Sequence, residues 1–161
     1  MANLADRLKD SINTYSPLLE LITHELAAQK PNSLKWSRKE ILGHLIDSAA
    51  NNHQRFVRIQ GQEELTFQGY DQDLWVEIQG YQNQKWKDII SLWYQLNMHL
   101  ASIISLIPDT VLTQSRMNHN LHQIAYHTVS QNECTTLAYF INDYIDHMEY
   151  HMKQIIEYPY D

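Results

Sequence analysis

The chain has 161 residues, 43% of them hydrophobic and 19% charged, with only four glycines and four prolines. That composition suits one helical domain spanning 1–161, and argues against disorder, a second domain or a turn-rich β architecture. The net charge of -7 gives no footprint for nucleic acid, and the single cysteine, Cys134, excludes an internal disulfide. The first predicted element is a helix over residues 3–29, where Leu4, Leu8, Ile12, Tyr15, Leu19, Ile22 and Leu26 recur at three- and four-residue steps. Pro17 lies inside it and is expected to kink or divide it. After a connector at Lys30-Pro31-Asn32-Ser33, Ser37-Arg38-Lys39-Glu40 spells a capping box. A second helix follows through Ile41, Leu45, Ala49, Phe56 and Ile59 to a terminator at Gly61. Residues 61–80 read as an ordered crossover with a short helical turn. A third helix spans roughly 82–107 and stops at Pro108, residues 108–131 form a second long connection with extended pieces, and a fourth helix runs from about Cys134 to Glu157. Four long amphipathic helices joined by long crossover connections describe an all-α four-helix bundle.

Charged residues within the first ten positions break the apolar core that a secretory signal needs. No apolar run approaches a membrane-spanning length, since His, Asp, Gln or Lys interrupts each greasy segment. A cytoplasmic protein without membrane contacts is therefore expected.

The chemistry is concentrated in the histidines, of which there are nine. In the last helix, His147 and His151 are separated by one turn, so both imidazoles fall on one face and can chelate one ion. The same spacing on an exposed helix would leave two solvated side chains. Here the pair lies beside Phe140 and Tyr144 on the flank of the apolar stripe, and inward-facing imidazoles need partners. On the second helix, His44, Ser48, Asn51 and Arg55 fall within roughly 60° of one another and form a polar stripe along the core. If those two helices face each other, His44 supplies a third ligand. Three neutral imidazoles leave coordination positions open, as a catalytic ion requires. Zn²⁺ and Ni²⁺ suit imidazole best, with Mn²⁺, Fe²⁺ and Co²⁺ as alternatives. Asp47, Asp143 and Asp146 either orient the ligands or are ordinary surface charges.

These residues resemble the DinB-like (DinB/YfiT) superfamily of metal-dependent enzymes. The resemblance is carried by Trp36-Ser37-Arg38-Lys39-Glu40-Ile41-Leu42-Gly43-His44-Leu45-Ile46-Asp47-Ser48, by Asn51 and Arg55-Phe56, by Tyr70-Asp71 with Trp75, and by His147-x-x-x-His151. It implies a four-helix bundle, often a homodimer, in which His44, His147 and His151 bind one divalent ion. The branch it looks most like includes bacillithiol transferases, so the resemblance implies a metal-activated thiol or water attacking a small-molecule substrate. Asp47 and Arg55 are then candidate catalytic residues, and Asn51, Arg55 and Trp75 are candidates for binding an anionic, low-molecular-weight thiol. The last helix departs from the branch, having Asp146, Met148, Glu149 and Tyr150 around its histidines where that branch is often richer in histidine. The thiol's identity does not transfer.

Plainer readings stand beside these. His24, His53 and His99 lack spaced partners and receive no role. His119, His122 and His127 either line the pocket mouth, bind adventitious metal or have no role, and Cys134 is expected to pack near a helix start. Trp36, Trp86 and Trp93 are most simply core. The competing function is a non-catalytic helical bundle, dimeric, whose metal is structural or absent.

Overall fold

A computed structural model describes residues 3–158. Its long helices are α1 (Leu4–Glu20), α3 (Arg38–Arg58), α5 (Trp86–Leu106) and α8 (Leu137–Ile156); the short ones are α2 (His24–Ala28), α4 (Gln72–Gln79), α6 (Asp109–Thr113) and α7 (Leu121–Ile124). Among the described residues there is no strand, only isolated bridges pairing Leu65 with His119 and Arg116 with Thr135. The fold is a four-helix bundle. Helix α1 packs on α5 and α8, and α3 packs on α5 and α8, so α1 and α3 stand across one diagonal and α5 and α8 across the other. Consecutive long helices are therefore not always neighbours, and this arrangement needs the long connections the sequence provides.

Local chemistry explains most boundaries. The Ser37 hydroxyl accepts from the Glu40 amide at 3.2 Å while the Glu40 carboxylate accepts from the Ser37 amide at 2.8 Å, so the expected capping box starts α3. Helix α3 ends in a 3-10 turn at Ile59–Gly61. Pro17 does not divide the first helix: it lies exposed inside α1, where the carbonyl its ring leaves unbonded can face water. The break comes after Glu20, and α2 starts anew with Thr23 capping the Leu26 amide at 3.3 Å. Helix α8 starts at Leu137, later than the expected Cys134, because Thr136 is its cap. Cys134 itself is exposed, with Sγ 3.0 Å from Met117 Sδ, and so does not pack in the core.

Between the bundle helices, the crossover at 61–80 holds a two-turn helix, α4, capped by Asp71 and closed by Gly80 in the left-handed region. The second connection pairs with it: the Leu65 amide donates to Asn118 O, and the Asn120 side chain accepts from Phe67 N at 3.1 Å and donates to Phe67 O at 2.7 Å. In length and composition α5 would pass as a membrane span, contrary to the sequence expectation, yet it packs here against α1 and α3 and buries Trp86, Trp93 and Leu100.

Helices α3 and α8 run antiparallel. Arg38, at the start of α3, donates to the carbonyls of Ile155 at 2.9 Å and Tyr158 at 3.2 Å, a cation against a helix C-terminus. Further on, His44 meets His147, and later still Phe56 meets Phe140. Just before His44, a Cβ on Gly43 would overlap the buried Tyr81 ring. Gly43→Ala is therefore expected to destabilise the protein by about 1–3 kcal/mol through overpacking, outweighing the roughly 1 kcal/mol gained in helix propensity. Chemical denaturation checks this, and an unchanged or higher midpoint would contradict it.

Candidate metal centre

The register of α3 against α8 brings one imidazole from the first helix to two from the second. His44 is fully buried, and its Nε2 lies 3.2 Å from His147 Nε2. The ring centroids are 5.1 Å apart for His44 and His147, 5.0 Å for His44 and His151, and 4.6 Å for His147 and His151. One donor atom from each of the three lies within 4.8 Å of the others, and no other cluster of this kind exists among the described residues.

Electrostatics keeps these rings neutral. Burial, reinforced by the neighbouring imidazoles, pushes the His44 pKa down to about 2 and that of His147 down to about 3. His151 is also lowered, mainly by burial, while its bond to Gln154 pulls the other way. Gln154 Oε1 lies 2.6 Å from His151 Nδ1, which places the proton on Nδ1 and leaves Nε2 as a free lone pair. Without an ion, one of these two Nε2 atoms can donate its proton to the other across 3.2 Å, whereas a cation between them would take a lone pair from each. Bonds of 2.0–2.1 Å in a tetrahedral arrangement would separate two such nitrogens by about 3.3 Å. The donor set, and the spacing of His44 and His147 in particular, therefore fit a divalent metal ion.

The other predicted residues are placed unequally. His147 and His151 form one wall of a cleft of about 380 Å³, lined also by Ser48, Asn52, Arg55, Tyr70, Tyr126 and Phe140. Arg55 is buried along this cleft. Asn51 and Trp75 line a neighbouring hollow that shares Gly69 and Tyr70 with it, and Asn51 donates to Asp47 O at 2.9 Å. Asp47 is buried away from the imidazoles' hydrogen bonds: its Oδ1 accepts from Gln79 Nε2 and, at 2.7 Å, from Tyr81 OH, which ties α4 and the turn after it to α3. Burial raises the Asp47 pKa, with those two bonds opposing, and burial likewise raises that of Tyr81. Tyr70, pushed up to about 12 mainly by burial, keeps its proton beside Ser48.

Of the loop histidines, His119 is a buried staple, 2.7 Å from Glu133 O and accepting from Leu121 N at 3.2 Å. His122 Nε2 meets the Gln131 amide at 2.8 Å, and His127 sits 3.2 Å from Asp143. None of the three lines the cleft; the residues between them, Gln123 to Tyr126, do.

Several residues at the site were not singled out from sequence. Trp36, expected in the core, is partly buried with its ring 5.1 Å from that of His44. Tyr126 and Tyr150 cover the outer side, 5.5 Å from His147 and 5.1 Å from His151. Asp143, by contrast, was singled out as either an orienter of the imidazoles or a surface charge; it is instead buried one turn before His147 and accepts from the amides of Tyr126 at 2.8 Å and His127 at 2.6 Å, fastening the far wall of the cleft. The helical spacings of Asp143 before His147 and of Gln154 after His151 were legible signals. Nothing local marks Tyr126, which arrives from a loop.

No family profile and no curated protein matches this chain. Among solved structures, YfiT from Bacillus subtilis, described as a probable metal-dependent hydrolase with an unusual four-helix bundle topology, is similar with a TM-score of 0.76. The likeness covers 96% of this chain and 82% of that one at 18% sequence identity, a level that establishes the shared fold.

Proposed function

We propose that this protein is a divalent-metal-dependent enzyme acting on a small molecule, by hydrolysis or by transfer to a low-molecular-weight thiol. The carrying observation is the convergence of three neutral imidazoles, His44, His147 and His151, on one point at the wall of a polar cleft. An ion held there, zinc or nickel being best suited to imidazole, would lower the pKa of water or a thiol toward neutrality and polarise the group under attack. The chain's own residues prepare that site. Gln154 fixes the His151 tautomer, Trp36 packs beside His44, and the Tyr126 and Tyr150 rings limit water on the outer side. The description of YfiT supports the hydrolytic form of this reading.

The test is metal analysis of the purified protein followed by a screen of ester hydrolysis and thiol transfer, in wild type and His147→Ala. About one equivalent of zinc or nickel is expected in the wild type. Loss of the ligand should lower turnover by roughly 100-fold or more. Turnover that survives both chelation and His147→Ala would rule this function out.

A further inference from the structure

The cleft holds a buried cation with no carboxylate in ion-pair contact among the described residues. Arg55 stands about three helical turns beyond His44 on α3, is 7% exposed, and lines the cleft beside Ser48, Asn52 and Tyr70. It donates to neutral oxygens: Gln68 O at 3.0 Å and, more weakly, Asn52 Oδ1 at 3.4 Å. Among the described residues no carboxylate lies within ion-pair distance of it. The acid that also lines this cleft, Asp143, is committed to the Tyr126 and His127 amides. A guanidinium stays protonated even where burial opposes its charge, and an unpaired buried charge is strongly unfavourable. Two neutral acceptors leave part of its donor fork available.

We propose that this end of the cleft is an oxyanion subsite, where Arg55, with Ser48, Asn52 and Tyr70 around it, takes the carboxylate or phosphate end of an elongated substrate. Side chains on a helix lean toward its N-terminus, so the guanidinium reaches back toward the imidazoles and ends on the order of 10 Å from them. The substrate class is then a small molecule with a terminal oxyanion, a reacting group at the His147 and His151 end, and a middle that passes Phe140 and Tyr144. The protein's net charge of -7 repels anions globally, so binding depends on this local cation rather than on the overall field. Placing the reacting group at the imidazoles rests on the function proposed above; the oxyanion subsite does not.

The experiment therefore uses metal-free, full-length protein. Inorganic phosphate and glutarate are titrated separately while the arginine guanidinium signals are followed by ¹⁵N NMR, with Arg55 assigned by its absence from Arg55→Lys. The Arg55 signals are expected to shift saturably with at least one probe. Affinity should fall about 10-fold or more in Arg55→Lys, which keeps the charge and loses the fork, while circular dichroism and melting stay unchanged. Saturation by phosphate alone would mark a phosphorylated substrate, and by glutarate alone a carboxylate. No saturable Arg55 shift in the wild type, or equal affinity in a folded Arg55→Lys, overturns the subsite. If Arg55→Lys does not fold, the wild-type spectra decide, with Arg55 assigned through its backbone.

Discussion

Metal-free protein is expected to lose stability steeply as the pH falls below 6.5, and a divalent cation is expected to oppose that loss. Folded His44 and His147 resist protonation down to about 2 and about 3, whereas the unfolded chain takes up those protons near the ordinary value of 6.5. Between these limits the unfolded state binds more protons, so the stabilising contribution is complete above 6.5 and is lost with acidification. Two such groups together cost about 3 kcal/mol per pH unit once the pH is well below 6.5, and His151, lowered in the same direction, adds to this. Against a total stability of roughly 5–15 kcal/mol, unfolding in mild acid follows. A cation at 100 times its dissociation constant should restore about 2.7 kcal/mol near neutrality, less at lower pH where protons compete for the same nitrogens. Urea denaturation at a series of pH values measures both effects. His44→Leu combined with His147→Leu should flatten the dependence, and a variant with the wild-type slope would show that these imidazoles are not its source.

Asp143→Ala should produce the second large effect, on stability and on the cleft together. The carboxylate accepts two backbone amides from a connection that supplies one wall of the site. Hydrogen bonds to a charged acceptor contribute about 1.5–3 kcal/mol each, and the burial that raises the Asp143 pKa offsets part of the pair. A net loss of about 3 kcal/mol corresponds to roughly 6–12 °C in melting temperature for a chain of this size. Asp143→Asn keeps one acceptor oxygen and should lose less. In either variant the wall from Gln123 to Tyr126 loosens, so KM for a substrate found by screening should rise more than kcat falls. A melting temperature within a degree of wild type would mean that the connection is held by its pairing with the crossover instead. Asp143 does not contribute to the acid loss described above: its folded pKa is raised, so its ionised form becomes a burden as the pH rises through that value.

Sequence alone determined the elements whose causes are local. The apolar period located the bundle helices, Ser37 and Glu40 set the start of α3, Pro108 ended α5, and one helical turn placed His147 and His151 on a common face. Each depends on residues within a turn or two, which one chain displays directly. Tertiary structure decided everything that joins separate segments. It set the antiparallel register that carries His44 to the histidine pair, turned Asp47 toward Gln79 and Tyr81, and put Asn52 rather than Asn51 in the cleft. It also folded two irregular connections against each other so that Tyr70 and Tyr126 line one cleft. Those outcomes depend on packing between residues many positions apart, and no local period records which loop closes over which helix.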